Sequence, residues 1–585
     1  MRYRIQESRG RLHVEIAAFV TLLFLFTLLC LASLSHKSVT IDEFQYIPSG
    51  LYSLKTGDFS IDPRNPPLMK LAAACLALTS RPEIPLQPQY LGERRGWWPW
   101  VYGTRFMRLN QDRYTKIIDR AKLATVITGV LLGATLFLGA RRIFGPGAAL
   151  AALWLFVFDP NMIAHSRVAA TDLGLTFLMI LAFLGFTAFL SRGKPVLAGA
   201  SGLACGLAVT AKFTAVLLIP FFMCVYVAKA IFKPRWFQDS RVTIRKSLIH
   251  FVCFFIPLFL ALNAAYFFQG LFRPLKAMEL HSPLLAGIQA TFLGDVPVPL
   301  PEEMVEGFDD ASRYARSPEI PGFFNGRWRP GGSMLYFPQA FLMKSTPGFI
   351  CLMLGSLFAG LWLKRATYMK GLALLIFPVI LGLFLMLGCR INYGIRYLLP
   401  IYPFLFLVAA GLARPQMKML APGSLFKAGK VKVKIRHALL AALFIWHAVS
   451  GLYTYPHYLS YFNFIAGGPD NAHRYFVDSN LDWGQDLPGL KRYMETEGIP
   501  KIKLAYYGHA DPKLYGIDYE LMDAYPRPGN YAASVSFVMG QPYRITYQGY
   551  FPQQVSRDRF GWLRAYEPVA KIGYSIWIFK IGEDE

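Results

Sequence analysis

The sequence predicts an α-helical polytopic membrane protein, with about eleven spanning helices by the length a bilayer demands and a small α/β domain at its C-terminal end. Three observations predict it. Apolar stretches long enough to span recur through residues 1–454, Lys and Arg cluster in alternate loops between them, and residues 455–585 contain no such stretch. Composition agrees: 54% of the 585 residues are hydrophobic and 17% charged, against about 45–50% and 25% in soluble domains.

A spanning helix needs about 20 mostly apolar residues. The candidates are 14–34, 121–140, 148–158, 172–190, 196–211, 214–232, 248–268, 347–363, 371–387, 395–412 and 437–453. Segment 148–158 is short and extends toward Pro160. The first segment follows Arg2, Arg4, Arg9 and Arg11, as a secretory leader would. Its apolar core exceeds the roughly 7–15 residues of a cleaved leader, so an uncleaved first helix is expected.

The net charge is +25. In a soluble chain that would point to nucleic acid, but there is no zinc-finger spacing, RNP motif or basic helix to support such a partner. The positive charges follow the loops instead. Counting from an inside N-terminus, the inner loops hold Arg141 and Arg142, then Arg192 and Lys194, then Lys229, Lys233, Arg235, Arg241, Arg245 and Lys246. Lys364, Arg365 and Lys370 follow, and then Arg414, Lys418, Lys427, Lys430, Lys432, Lys434 and Arg436, with Asp239 the exceptional acid. Cytoplasmic loops accumulate such residues. A miscounted span would invert the pattern downstream. The expected arrangement is therefore a cytoplasmic N-terminus, with loops 35–120 and 269–346 and the tail outside. The cysteines, Cys30, Cys75, Cys205, Cys224, Cys253, Cys351 and Cys389, lie in or beside apolar stretches as small apolar residues. None falls in the tail, which has no disulfide framework.

The first outer loop opens with Ile41-Asp42-Glu43-Phe44. Phe44, Ile47, Leu51 and Leu54 share a helical stripe, weakened by Pro48 and Gly50, which suggests a helix lying on the membrane surface. Gly57-Asp58, Asp62-Pro63-Arg64 and Asn65-Pro66-Pro67-Leu68 follow. Residues 68–78 are apolar but too short to span, as in a re-entrant or interfacial segment. A polar loop with Asp42 as a helix cap explains these features as well as a paired-acid site does.

A second cluster holds Asp159-Pro160-Asn161, His165, Arg167 and Thr171-Asp172. Asp172 is either an N-terminal cap or a second acid sharing an outward-facing cavity with Asp42. Arg64, Lys70, Lys212, Arg390 and Arg396 break the charge trend by standing on the outer side. A lipid-linked phosphate would account for them, because Arg and Lys pair strongly with phosphate oxygens; snorkelling at helix ends is the alternative. In the tail, oxygen side chains at alternate positions of 478–486 imitate a calcium loop, but Trp483 and Gly489 stand where that loop needs Gly and Glu. A structured turn capping a helix near 487–497 is expected, with strands at 502–507, 532–539 and 572–581.

Together these residues resemble the family 39 glycosyltransferases, the protein O-mannosyltransferases and bacterial aminoarabinose-type transferases of the GT-C fold. The matching motifs are Asp42-Glu43, Gly57-Asp58 with Pro66-Pro67-Leu68, Asp159-Pro160 with Thr171-Asp172, and Lys212. Tyr336-Phe337-Pro338 with Lys344, Gly394-Ile395-Arg396-Tyr397-Leu398-Leu399-Pro400, the 478–486 stretch and Tyr506-Tyr507-Gly508 complete them. Members often carry His or Lys where this chain has Asn65, which shifts a phosphate role to Arg64 or Lys70.

The resemblance implies an inverting transfer of a sugar from a polyprenyl-phosphate donor to a protein, lipid or glycan acceptor on the extracytoplasmic side of a bacterial inner membrane. It implies Asp42 as general base with Glu43 orienting it, and Lys212 and Arg396, with Arg64 and Lys70, around the departing phosphate. Asn65, His165, Arg390 and Tyr336 would line the donor and acceptor cavity. Asp172 would hold the acceptor, or share a divalent cation (Mg, Mn or Zn) with Asp42; the metal-free version is preferred because no tight ligand spacing is present. A transporter or flippase for a lipid-linked or anionic substrate would also explain the helices and buried charges, but it does not predict a long first outer loop with paired acids or a separate outer domain. A membrane-anchored scaffold without catalysis is the third class.

Overall fold

The computed structural model describes residues 2–86, 95–232, 243–318, 320–363, 374–413, 429–547 and 553–583. Among them, six helices are long and apolar enough to cross a membrane: Leu12–Leu34, Tyr114–Phe144, Thr171–Arg192, Phe213–Phe232, Ile244–Ala265 and Ile395–Ala413. Two bent pairs raise the number to eight: Pro146–Val157 with Pro160–Ser166 at 65°, and Tyr336–Lys344 with Pro347–Ala359 at 112°. Pro195–Ala211, Ile376–Gly388 and His437–Leu452 are apolar helices of 10–17 residues. The expected eleven spans are thus all represented by helices, but only six to eight reach spanning length. The expected segment 371–387 begins outside the described residues, as do the loop charges Lys233, Arg235, Asp239, Arg241, Lys364, Arg365, Lys370, Arg414, Lys418 and Lys427.

Proline accounts for the broken helices. Pro160 has no N–H to give and disfavours a helical Asp159. Asp159 then caps the new helix, its Oδ1 accepting from the Asn161 and Met162 amides at 2.9 and 3.0 Å. Elsewhere glycine lets backbones approach, as in many membrane helix pairs. Pro195–Ala211 packs on Ile244–Ala265, and a Cβ at Gly202 would stand 2.0 Å from the Phe254 carbonyl oxygen.

The helix Ile41–Thr56 starts with a capping box in which Thr40 and Glu43 satisfy each other's end of the turn. The expected surface helix is instead enclosed: every residue from Ile41 to Ser53 is buried, under Pro67–Ala77 and Trp98–Leu109. Gly50, which interrupted the apolar stripe, marks the crossing; a Cβ there would lie 2.3 Å from the Lys70 carbonyl oxygen.

The tail forms a five-stranded sheet of β1 (Ile502–Ala505), β2 (Tyr519–Leu521), β3 (Gly529–Ser534), β4 (Ala570–Ile572) and β5 (Ile576–Ile581), in the order β4-β5-β3-β1-β2. β1 runs parallel to β2 and β3, and β5 antiparallel to β3 and β4, with Ala532 facing Leu504 on one side and Ile578 on the other. The expected strand 532–539 ends early in a helical turn, Val535–Val538, and 572–581 resolves into the β4–β5 hairpin. The sheet shares one apolar core with the membrane helices. Residues 478–486 seal the joint: Ser38 and Ile41 amides donate to the Gln485 and Trp483 carbonyls at 2.9 and 3.1 Å, and the Ile395 amide donates to Asn480 Oδ1 at 2.9 Å. The carboxylates of this turn diverge. Asp478 Oδ2 accepts from the Tyr507 hydroxyl at 3.1 Å, Asp482 Oδ2 from the Ser536 amide at 3.2 Å, and Asp486 Oδ2 from the Ser575 hydroxyl at 2.6 Å. The turn leads into the helix Leu487–Thr496 through Asp486 at its N-cap.

Gly202→Val should push two helices apart and lower thermal stability in detergent by about 1–3 kcal/mol or more, the usual cost of overpacking. Gly287→Ala, where a Cβ meets nothing within 4 Å, should not. Equal melting temperatures for both variants would contradict this packing.

Candidate active site

Four charged groups from separate elements converge. Asp42 and Asp172 stand in the first turns of Ile41–Thr56 and Thr171–Arg192, where the helix dipole favours an anion. Lys212 is the residue that ends Pro195–Ala211, where a cation is favoured. Arg396 belongs to the 3-10 turn Ile395–Ile401, entered through Gly394 at φ 90°. A Cβ at 394 would meet the Ser479 hydroxyl at 2.5 Å, so glycine is required for the turn to close on the tail.

Arg396 Nη1 pairs with Asp42 Oδ2 and lies 3.7 Å from Asp172 Oδ2, while Lys212 Nζ pairs with Asp172 Oδ1. Arg396 Nε donates to the Tyr393 carbonyl at 3.1 Å. Its guanidinium carbon lies 4.6 Å from the Trp483 ring centroid, and Lys212 Nζ lies 4.3 Å from that of Tyr397. Two cations thus balance two carboxylates. That balance is what makes the three buried charges and the half-buried Lys212 tolerable together, since an unpaired buried charge is severely penalised.

A cavity of about 740 Å³ opens beside this cluster. Asp42, Lys212, Arg396, Arg64 and Asn65 line it. Arg64 is held at the wall by Asp310, Nε to Oδ2 at 2.8 Å, and lies 4.3 Å from the Tyr314 ring centroid. Asn65 accepts from the Tyr46 hydroxyl at 3.0 Å.

The other expected site residues do not line the cavity, and each has a structural reason. Asp172, 1% exposed, stands behind the two cations; it positions them rather than facing an acceptor. Glu43 accepts from the Thr40 and Ala169 amides, both at 2.8 Å, and so fixes the helix start instead of orienting the Asp42 carboxylate. Lys70 is consumed by Asp62, donating to its carbonyl at 2.7 Å and its Oδ2 at 3.0 Å. His165 is buried with neither ring nitrogen bonded among the described residues. The Arg390 side chain is exposed. The Tyr336 hydroxyl accepts from the Gly394 amide at 2.8 Å and the Asn480 side chain at 2.7 Å, supporting the turn that presents Arg396. A divalent cation shared by Asp42 and Asp172 does not fit this donor set, because it would have to displace the guanidinium between them and meet Lys212 as well.

Sequence reasoning placed the tail apart from the site. In the structure Asp478, Trp483, Tyr507, Gln541 and Tyr543 of the tail form a wall of the cavity. Burial pushes the Asp478 carboxyl above the usual carboxylate range, with Arg396 opposing it. Burial likewise pushes Asp482 up to about 7. The available signal was the aromatic density of Trp483 and Tyr506-Tyr507, which carried no information on where those rings point.

The fold and site therefore define a polytopic helical membrane protein whose acid–cation cavity is walled on one side by loops of its own tail. The profile of the dolichyl-phosphate-mannose-protein mannosyltransferase family matches residues 111–259, a stretch that includes Asp172 and Lys212. No curated protein matches the chain. Among solved structures it is similar to ArnT from Cupriavidus metallidurans bound to undecaprenyl phosphate, at 13% identity and TM-score 0.44 over 97% of each chain. It is also similar to the oligosaccharyltransferase AglB from Archaeoglobus fulgidus, in complex with an inhibitory peptide and a dolichol-phosphate, at 13% identity and TM-score 0.43 over 75% of this chain and 56% of that one.

Lys70→Met should lower thermal stability by about 3–5 kcal/mol, the cost of leaving one partner of a buried pair unpaired. Arg64→Met, whose pair with Asp310 is 32% and 28% exposed, should cost less than about 1 kcal/mol. Thermal unfolding of the two variants in detergent decides; the reverse order would contradict the roles assigned here.

Proposed function

We propose that the chain is a membrane glycosyltransferase that transfers a sugar from a polyprenyl-phosphate donor, with inversion, to an acceptor on the extracytoplasmic side. The observation that carries this reading is the joining of Asp42, Arg396 and Lys212 at one cavity wall. The match of residues 111–259 to the mannosyltransferase family supports it.

The residues suit each part of the reaction. An acceptor hydroxyl attacks the anomeric carbon, and its proton passes to the Asp42 carboxylate as general base. The bond from the anomeric carbon to the phosphate oxygen breaks, and the lipid phosphate leaves with the electron pair. Arg396 and Lys212 stabilise that anion, as preorganised cations do in a low-dielectric site. Arg396 can serve both ends. Its Nη1 holds Asp42 and its Nε the Tyr393 carbonyl, which leaves Nη2, without a hydrogen bond among the described residues, for a phosphate oxygen. Asp172 keeps both cations aimed forward. Arg64 at the cavity rim supplies further positive charge for the donor. The N-terminus is cytoplasmic and the tail sheet extracytoplasmic in this reading, in keeping with the basic loops.

Asp42→Asn should reduce transfer by about 10²–10⁴-fold, the worth of a general base, while the protein folds and still binds lipid phosphate. Purified protein given a labelled polyprenyl-phosphate sugar and a panel of acceptors provides the measurement. Undiminished turnover would remove Asp42 from this role. Movement of the donor across vesicles with no new glycosidic bond would favour a transporter.

A further inference from the structure

Arg396 is held by more than its hydrogen bonds. Nη1 pairs with Asp42 and Nε donates to the Tyr393 carbonyl. Hydrogen bonds at oxygen accept a broad range of approach, so these two leave the guanidinium room to tilt. A ring limits the tilt: the centroid of Trp483 lies 4.6 Å from the guanidinium carbon. Guanidinium groups are weakly hydrated and stack on aromatic faces, where the ring quadrupole attracts the cation. The contact covers a surface of Arg396 that needs no hydrogen bond and takes up none of its donors. Tyr397 stands farther off, at 5.6 Å. It is the next residue of the same turn and moves with Arg396, so it is no outside support.

Trp483 belongs to the tail, and its main chain is tied on both sides. Its carbonyl accepts the Ile41 amide at 3.1 Å, and its own amide donates to Gln485 Oε1 at 2.7 Å. The next residue, Gly484, sits at φ 82°, and a Cβ there would stand 2.8 Å from the Tyr506 hydroxyl. The Gly484 carbonyl accepts from the Ser38 and Tyr506 hydroxyls, both at 2.7 Å. The His165 ring meets the indole at 61°, with centroids 6.1 Å apart. A fully tied turn thus presents the indole. One tail residue thereby reaches both members of the ion pair: Arg396 through its ring, and Asp42 through the amide that opens the Asp42 helix. Filling a core would account for an indole at 1% exposure, but any apolar side chain of that size would serve there equally.

We infer that Trp483 is a positioning residue for the transfer: its ring sets the plane in which Arg396 presents Nη2 to the lipid phosphate, and its carbonyl fixes the helix start that carries Asp42. The tail is then part of the catalytic centre. This rests on the transferase reading above, in which Arg396 takes the departing phosphate.

The experiment titrates undecaprenyl phosphate into full-length protein in lipid nanodiscs and assays sugar transfer on the same samples. Trp483→Met should weaken binding about fivefold to thirtyfold, the worth of a desolvated cation–π contact. Trp483→Phe, which keeps a ring face, should recover most of that loss. In an Arg396→Gln background Trp483→Met should weaken binding no further, because the two changes remove the same interaction. Tetrafluorotryptophan placed at 483 keeps the shape of the indole and withdraws electrons from its face, so it should lower affinity without lowering the melting temperature. It decides the matter even where Trp483→Met does not fold. Equal losses from Trp483→Met in both backgrounds, or full affinity with the fluorinated ring, would reduce Trp483 to core packing and overturn the inference. The expected pattern of binding without any sugar transfer would leave the Trp483–Arg396 coupling standing and count against the transferase reading itself.

Discussion

Arg396 reaches Asp42 with Nη1 and stands 3.7 Å from Asp172, so one guanidinium ties the first outer loop to the Thr171–Arg192 helix and to its own turn. Each of these groups is buried, and none would be tolerated there alone. Lys212 completes the balance by taking the second oxygen of Asp172. In the proposed reaction a phosphate entering the cavity would meet cations whose positions are already fixed by carboxylates behind and beside them. Preorganised charge of this kind needs no rearrangement when negative charge develops.

The tail contributes to this as much as the membrane helices do. Residues 478–486 hydrogen-bond to Ser38, Ile41 and Ile395, which flank Asp42 and Arg396 in sequence. Nearby, Lys37 pairs with Asp486 and approaches His457 Nδ1 at 2.6 Å. Burial pushes the Lys37 amine down to about 8, with Asp486 opposing; burial also acts to raise the Asp486 carboxyl, but Lys37 and the hydrogen bond with His457 hold it below the usual range. The sheet is thus fastened to the first outer loop by charge as well as by the shared core. A loosened tail would move one wall of the cavity and the segment that supports Arg396 together.

Charges in apolar surroundings were what the sequence made legible. Asp42, Asp172, Lys212 and Arg396 each sit at the edge of an apolar helix, where a charge needs a reason, and they did come together. Helix positions were legible for the same reason, while proline breaks at Pro160 and Pro347 reduced how many reach spanning length. What sequence pattern did not carry was partner choice. Lys70 and Arg64 look alike as basic residues beside a double proline, yet Asp62 buries one and Asp310 holds the other at the cavity wall. Glu43 looked like the second acid of a pair, but its neighbours in space are the Thr40 and Ala169 amides. The tail wall was out of reach altogether, because strand pairing and the turn at 478–486 decide which rings face inward.

Titration of undecaprenyl phosphate into purified protein, with Arg396→Gln beside the unmodified chain, tests the account at its centre. Loss of a charged hydrogen-bond donor should weaken binding by roughly tenfold to a hundredfold. Equal affinity of the two proteins, with both folded, would contradict the claim that Arg396 holds the lipid phosphate.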